Sequence, residues 1–287
     1  MNGRKRKQSE SKPQMEQTIE GGDLPVLADN RKEYILRRFE EKSFVRVTEL
    51  SRELELSEAT VRKLLMQMEE DGLLKRNWGG AVAVSGVATE FPYKDKMSRQ
   101  LCEKRAIGQA AYDMIGDGET VFLDSGTTTG QLARLIARGP KRNIVVCTNA
   151  LNILLELSKA EDIRTIMIGG EFRHSIYSCV GPLSTLVMGG LAFDKAFITG
   201  SHFTVDRGFS TPELREASTK QCALKMARYK VVLMDSGKLG RDSMVIIAPP
   251  DGVDMLITDW QIKPEVRAHF EQLGVEVVAA AETAAGE

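Results

Sequence analysis

The sequence predicts an α/β protein in two parts. An N-terminal winged helix-turn-helix, mainly helical with a small wing, precedes a larger α/β domain built on a mostly parallel sheet. Two short amphipathic stretches followed by a Gly-Gly hairpin between Glu49 and Ala81 predict the first part. From Thr120 onward, short continuous apolar runs alternate with helical stretches, the pattern of strands buried on both faces of a parallel sheet. The loops after those runs are rich in glycine, hydroxyls and carboxylates; in an open parallel sheet such loops line the edge where ligands bind.

Bulk properties narrow the function classes. At 287 residues and 42% hydrophobic, the chain has room for one small and one larger domain. No apolar run approaches the ~20 residues of a membrane span, and the charged start is unlike a signal peptide. Cys102, Cys147, Cys179 and Cys222 are widely spaced, as are His174, His202 and His269. They read as isolated side chains in a reducing cytoplasm, so no metal, disulfide framework or cofactor is expected. With a net charge of −1, no large basic patch is visible in the composition.

Residues 1–28, with Arg4-Lys5-Arg6-Lys7, read as a disordered tail, either solvated or an arm touching DNA phosphates. Residues 29–84 form the expected winged domain. Leu50, Leu54 and Leu56 line the inner face of its first short helix; Val61, Leu64, Leu65 and Met68 line that of the second. Ser57 stands at the N-cap position. The opposite face carries Thr60, Arg62, Lys63 and Gln67, side chains able to reach phosphates and base edges from a major groove. Leu73 to Arg76 and Asn77 to Val82, with Trp78 between, predict a two-stranded wing. Such a helix pair either binds duplex DNA or merely packs. Lys and Arg equal Asp and Glu in number between Asp29 and Val84, so DNA binding requires a stripe of Arg62, Lys63, Lys75 and Arg76 facing away from the acids. Val84–Thr89 marks a domain boundary, and residues 85–105 read as a linker and connecting helix.

Residues 106–287 form the expected α/β domain. Its apolar runs are 121–123, 144–147, 166–168, 196–198, 231–234, 256–257 and 275–278. After them come Asp124-Ser125-Gly126-Thr127-Thr128-Thr129, Thr148-Asn149, Gly169-Gly170, Thr199-Gly200-Ser201, Asp235-Ser236-Gly237-Lys238 and Thr258-Asp259. In the first loop Gly126 permits a sharp turn, and the hydroxyls and amides at the next helix start suit a phosphate. The same loop is also explicable as an ordinary polar turn with threonine caps. Lys220 and Lys238 are the cations available to a phosphate, or else exposed surface lysines. Neither GxxxxGK[ST] nor GxGxxG occurs, which leaves nucleotide and dinucleotide readings without support.

Both halves resemble the DeoR family of bacterial sugar-metabolism regulators. The resemblance rests on RKEYILRRFEEKSFVRVTELSREL, LSEATVRKLLMQMEEDGLLKRNWGGA and EFPYKDKMSRQLCEKRAIGQAA in the first half. In the second it rests on DGETVFLDSGTTTGQLARLI, VVCTNALNILLEL, IGGEFR, SCVGPLSTLVMGGLAFDKAFITG, GFSTPELREASTKQCALKMA, VVLMDSGKLGR and LITD. It covers nearly all of residues 29 to 260. The chain departs from the family pattern at Leu64-Leu65, where an acidic residue is usual, at Trp78, where histidine is usual, and at Thr199-Gly200-Ser201-His202-Phe203. The resemblance implies a sensor of ribose-5-phosphate-isomerase-like fold that binds a phosphorylated sugar. Carried across by motif, its contacts are Asp124 to Thr129, Asn149, Gly169, Gly170, Arg173, Lys220, Asp235 and Lys238. On the DNA side it implies roles for Ser57, Thr60, Arg62, Lys63, Gln67, Arg76 and Trp78. It also implies a cytoplasmic, nucleoid-associated repressor of a carbohydrate operon, bound to double-stranded operator DNA as a homodimer or homotetramer.

The alternative is a sugar-phosphate isomerase with an attached DNA-binding domain. Isomerisation by proton transfer needs a carboxylate base near the sugar carbon. After the run 196–198 no acid appears before Asp206. Asp124 and Asp235 suit acceptance of hydrogen bonds from sugar hydroxyls, so the expectation is a binding pocket without a catalyst. A purely structural role for the α/β half fits poorly with so many hydroxyl and glycine loops at one sheet edge.

Overall fold

A computed structural model describes residues 28–42, 44–71, 73–83 and 93–282. The expected tail (save Ala28), the boundary at Val84–Thr89 and the last five residues lie outside them.

The N-terminal part runs α1 (Ala28–Glu41), β1 (Phe44–Arg46), α2 (Val47–Glu53), α3 (Glu58–Glu70), β2 (Leu74–Asn77) and β3 (Gly80–Ala83). Ser57 caps α3, its Oγ accepting from the Thr60 amide at 3.2 Å, which satisfies one orphan donor of the helix start. Between α2 and α3, Glu55 takes a left-handed φ of 52° and reverses the chain. Ile35, Val45, Leu50, Val61, Leu65 and Met68 form the centre of the core, while Leu56 and Leu64 are partly buried at its edge. Burying each such side chain contributes about 1.5–3 kcal/mol. The wing has a third strand that the sequence did not suggest: β1 pairs antiparallel with β3, Phe44 opposite Val82. Three residues are too few to show an alternating pattern. The wing turn is Trp78-Gly79. Gly79 needs its freedom for a φ of +79°, and Gly80 because a Cβ there would lie 2.2 Å from the Val45 carbonyl.

The C-terminal part begins with α4 (Tyr93–Ser98) and α5 (Leu101–Asp113). It continues through β4 (Thr120–Leu123), α6 (Thr127–Arg138), β5 (Val145–Thr148), α7 (Leu151–Leu157) and β6 (Arg164–Met167). A hairpin follows, β7 (Glu171–Arg173) and β8 (Ser178–Val180), then α8 (Pro182–Met188) and β9 (Phe193–Thr199). Next come β10 (His202–Thr204), β11 (Gly208–Thr211), α9 (Leu214–Met226) and β12 (Ala227–Leu233). The part ends with β13 (Val245–Ala248), β14 (Met255–Asp259), α10 (Pro264–Gln272) and β15 (Glu276–Ala280).

The seven apolar runs become the seven strands of one sheet, ordered β15-β14-β12-β9-β4-β5-β6, and every neighbouring pair is parallel. Successive residues of each strand feed opposite cores. Val121 and Leu123 pack with Ile107, Leu132 and Ile153 of α5, α6 and α7, whereas Phe122 packs on the other side with Phe193, Met188 and Phe270. The result is three layers, helices on both faces of the sheet. The chain leaves β4 in one direction to β5 and β6, then returns to build β9, β12, β14 and β15 on β4's other side. The switch point is therefore at β4, and the crevice beyond the carboxyl ends of β4 and β9 is where such sheets bind ligands. A small antiparallel sheet, β10-β11-β13, covers one side of that edge.

Candidate functional site

On the N-terminal part, Thr60, Arg62, Lys63 and Gln67 are exposed along α3, opposite its buried Val61, Leu65 and Met68. Trp78 stands 97% exposed at the wing tip. The expectation that the basic stripe faces away from acids is corrected. Arg62 Nη2 lies 2.5 Å from Glu58 Oε2, and Arg76 donates from both its amide (2.8 Å) and Nε (2.6 Å) to Glu69. Glutamates at the two ends of α3 are within reach of Arg62 one turn away and of Arg76 on the wing, so these charges become local pairs. Arg76 holds the Glu69 carboxyl below the usual range. Exposed pairs of this kind are weak, so a phosphate can replace the glutamate as partner.

On the C-terminal part, Asp124 closes the end of β4, but beneath the crevice rather than within it. Its Oδ2 accepts from the Thr199 amide at 2.9 Å and the Thr199 hydroxyl at 3.0 Å, and is bonded by Lys220 Nζ. Lys220 also pairs with Glu216 Oε1 at 3.2 Å. Asp124 and Lys220 are each about 1% exposed. Burial pushes the Lys220 ammonium down, but Asp124 and Glu216 outweigh it and hold its pKa above the ordinary lysine value. Burial likewise raises Glu216, and Lys220, Lys96 and Thr211 together reverse that, leaving the carboxyl below its usual range. This buried triad ties β4, β9 and α9 into a floor.

Gly126 has an unexpected reason. Its φ of −161° is extended and open to any residue; the constraint is space, since a Cβ would sit 2.7 Å from both Cγ2 and Oγ1 of Thr199. Gly126→Ala should therefore displace the turn, lowering stability by about 1–3 kcal/mol in thermal or urea denaturation. An unchanged transition would show that the floor yields freely.

Above the floor is a cavity of about 260 Å³, at the small end for a small-molecule site. Six predicted residues line it: Ser125, Gly126, Thr127, Thr128, Asp235 and Lys238. Thr128 is fully buried and its hydroxyl has no partner among the described residues, which leaves a donor for a ligand at the start of α6. Lys238 lies 2.9 Å from Asp235 Oδ2 as an ion pair, while neither Asp235 oxygen accepts an aligned hydrogen bond among the described residues. The other predicted residues fall outside the lining. Thr129 turns inward and donates to the Asp124 carbonyl at 2.7 Å. Asn149 donates to the Cys179 carbonyl at 2.8 Å, fastening β5 to β8. Gly169 accepts from Ser184 at 2.8 Å, and Gly170 leaves room for that same side chain. Arg173 pairs with Glu213 at 3.4 Å.

One wall of the cavity went unread in the sequence. Tyr93, Lys96, Arg99, Gln100 and Lys104 line it from α4, the turn after it and the start of α5, within the stretch expected to be a linker and connecting helix. His202, Arg241, Glu216 and Gln261 complete the rim. Only the charge of YKDKMSRQLCEK offered a signal, and helical periodicity carries no information about which loop edge a helix end will meet. Lys104 is buried and donates to the carbonyls of Lys96, at 2.5 Å, and Arg99. Gln100 sits between the helices in a left-handed conformation, φ 47°, a cost of roughly 1–3 kcal/mol seen where structure is held for function. His202 Nδ1 is 2.7 Å from Ser243 Oγ.

Comparison with known proteins follows the same division. Residues 31–87 match the DeoR-like helix-turn-helix domain, and residues 99–260 match the DeoR C terminal sensor domain. The HTH-type transcriptional regulator GlpR of Haloferax volcanii is 34% identical over 254 residues, 88% of this chain and 98% of that protein. A putative aga operon transcriptional repressor of Escherichia coli O157:H7 is 30% identical over 271 residues, 93% of this chain and all of that protein. The lactose phosphotransferase system repressor of Streptococcus mutans serotype c is 33% identical over 236 residues, 81% of this chain and 92% of that protein. A D-ribose-5-phosphate isomerase structure aligns over 47% of this chain and 52% of its own at 18% identity, with a TM-score of 0.36, too low to bear on function. With both of the family's domains present in order, and with relatives matched along almost their whole length, the chain belongs to the DeoR family of transcriptional regulators.

Proposed function

We propose that this protein represses a carbohydrate-metabolism operon and that a phosphorylated sugar in the sheet-edge cavity controls its affinity for operator DNA. The observation that carries this reading is the origin of the cavity wall. Five lining residues, Tyr93, Lys96, Arg99, Gln100 and Lys104, belong to α4, the turn after it and the start of α5, the first described elements after the winged part. A ligand that engages them acts on the segment that leads to the DNA-binding elements. Differential affinity for two arrangements of that segment is all that coupling requires. The names of the aga operon and lactose phosphotransferase system repressors support a sugar operon and repression. Two copies placing α3 in successive major grooves suit a two-fold operator, as a homodimer or a dimer of dimers. The domain division runs 29–84 for DNA binding and 106–287 for sensing, with 85–105 joining them and its residues from Tyr93 to Lys104 walling the cavity.

The isomerase alternative is left with one candidate base, the cavity carboxylate of Asp235, which is ion-paired with Lys238 at 2.9 Å. Asp124 is committed to Lys220 and Thr199, and Glu216 to Lys220. No helix among the described residues is long and apolar enough to cross a membrane, in keeping with a regulator that meets DNA directly.

Fluorescence anisotropy of the protein on DNA from upstream of its own gene, titrated with sugar phosphates, tests the reading. Tight, sequence-specific binding released by one compound is expected. Thr127→Ala combined with Lys238→Ala should abolish that release while leaving unliganded DNA affinity within about threefold of the parent. Specific binding that no sugar phosphate alters would overturn the effector half, and only weak, sequence-independent binding would overturn the operator half.

A further inference from the structure

The cavity offers two unlike places for an anion. The turn after β4 presents neutral donors, the amides at the start of α6 and the fully buried Thr128 hydroxyl, unpartnered among the described residues. The turn after β12 and the α4–α5 junction present cations. Five cationic side chains line the cavity, Lys96, Arg99, Lys104, Lys238 and Arg241, against two carboxylates, Glu216 and Asp235. Glu216 shares the buried Lys220, at 3.2 Å, with Asp124 and has Arg173 at 4.0 Å, and Asp235 faces Lys238 at 2.9 Å. Among the described residues Lys104 has only backbone carbonyls as hydrogen-bond partners, and Arg241 is exposed at the rim with no ion pair.

These cations form one cluster. Burial, then Lys238, Arg99 and Lys96, drive the Lys104 ammonium down to about 7, with Asp235 alone opposing. Burial, then Arg241, Lys238 and Lys96, drive His202 down to about 4, with Asp242 opposing. Lys96, Lys104, His202, Lys238 and Arg241 all line this one cavity, and Lys238 and Lys96 act on both groups. One phosphate dianion at the β4 turn leaves this repulsion in place. The turns after β4 and β12 are two strand positions apart, with β9 between, a separation of roughly 9–10 Å at the usual strand spacing. The two ends of a six-carbon sugar cover that span.

We propose that the effector is a sugar phosphate carrying a second anionic group, one end held by the Ser125–Thr128 turn and the other by Lys104, Lys238 and Arg241. This rests on the reading of the cavity as an effector site. A second phosphate and a sugar-acid carboxylate share the required chemistry, and the experiment separates them.

Titration calorimetry on the full chain would compare fructose 1-phosphate, fructose 6-phosphate, fructose 1,6-bisphosphate, the corresponding glucose phosphates and 6-phosphogluconate, with inorganic phosphate as reference. At least one doubly anionic compound is expected to bind about tenfold or more tighter than either matched monophosphate, a difference of ~1.4 kcal/mol. Arg241→Ala, at an exposed position that does not threaten folding, should reduce that advantage to about threefold or less. Lys104→Met should do the same and also remove proton uptake on binding near pH 7. A bisphosphate preference names phosphate as the second group, and a 6-phosphogluconate preference names carboxylate. A monophosphate that binds as tightly as its doubly anionic counterparts overturns the proposal while keeping the effector site. If no compound binds and none moves DNA affinity, the effector reading itself fails along with it.

Discussion

Replacing Lys220 by methionine is expected to lower the unfolding free energy by about 3–5 kcal/mol, because it leaves two buried carboxylates, Asp124 and Glu216, without their shared cation. Urea denaturation measures this directly, and the pH dependence identifies the cause. In the parent protein Lys220 is held high and Glu216 low. Their contribution is therefore present between the carboxylate and lysine ranges. It is lost as pH falls through the depressed Glu216 value or rises through the elevated Lys220 value. In the variant the Glu216 carboxyl loses the cation that holds it low, and burial raises its folded-state value above the unfolded one. Its penalty then grows as pH rises past about 4 to 5, so the variant should lose stability between pH 5 and pH 8 while the parent stays nearly flat. A variant that tracks the parent across that range would show that the triad is not the floor's main tie. Methionine keeps the apolar stem, so a uniform loss at every pH would instead indicate packing.

The second large effect is expected at α3. Arg62→Ala with Lys63→Ala should weaken operator binding by about 2–4 kcal/mol, roughly thirtyfold to a thousandfold. The logarithmic salt slope should fall by about 0.9 for each DNA phosphate that is no longer neutralised. Both side chains are exposed on the face opposite the buried Val61, Leu65 and Met68, so the fold should be unaffected. Glu58 sharpens the prediction. It pairs with Arg62 at 2.5 Å, and this surface pair must open before Arg62 reaches DNA. Glu58→Gln should therefore leave affinity unchanged or raise it slightly. Operator affinity and salt slope that survive the double substitution would remove α3 from the interface.

Much of this architecture is visible in the chain. Seven continuous apolar runs became seven parallel strands, since a strand buried on both faces must be apolar at successive positions. The Ser57 cap, the inner face of α3 and the wing hairpin follow from rules that act over three or four residues. Short elements escaped. β1, β7, β8 and β10 have three residues each, and β13, though apolar, joins a separate antiparallel sheet that no run of its own could announce.

The site divides along the same line. Local sequence determined that a turn rich in hydroxyls opens α6, because strand, glycine and helix start are contiguous. Tertiary structure alone decided that Asp124 lies under the cavity, not in it, since Thr199 and Lys220, 75 and 96 residues away, claim its carboxylate. It also decided that Gly126 is needed for the nearness of Thr199 and not for a reversed backbone. The same holds for α4 and the head of α5, which bring Lys96, Arg99 and Lys104 to the sheet edge. Hydrogen bonding and capping act between chain neighbours and leave their mark in spacing. Burial and charge act between residues that only the packed fold makes neighbours, and there the balance of two carboxylates against five cations first becomes a property of one cavity.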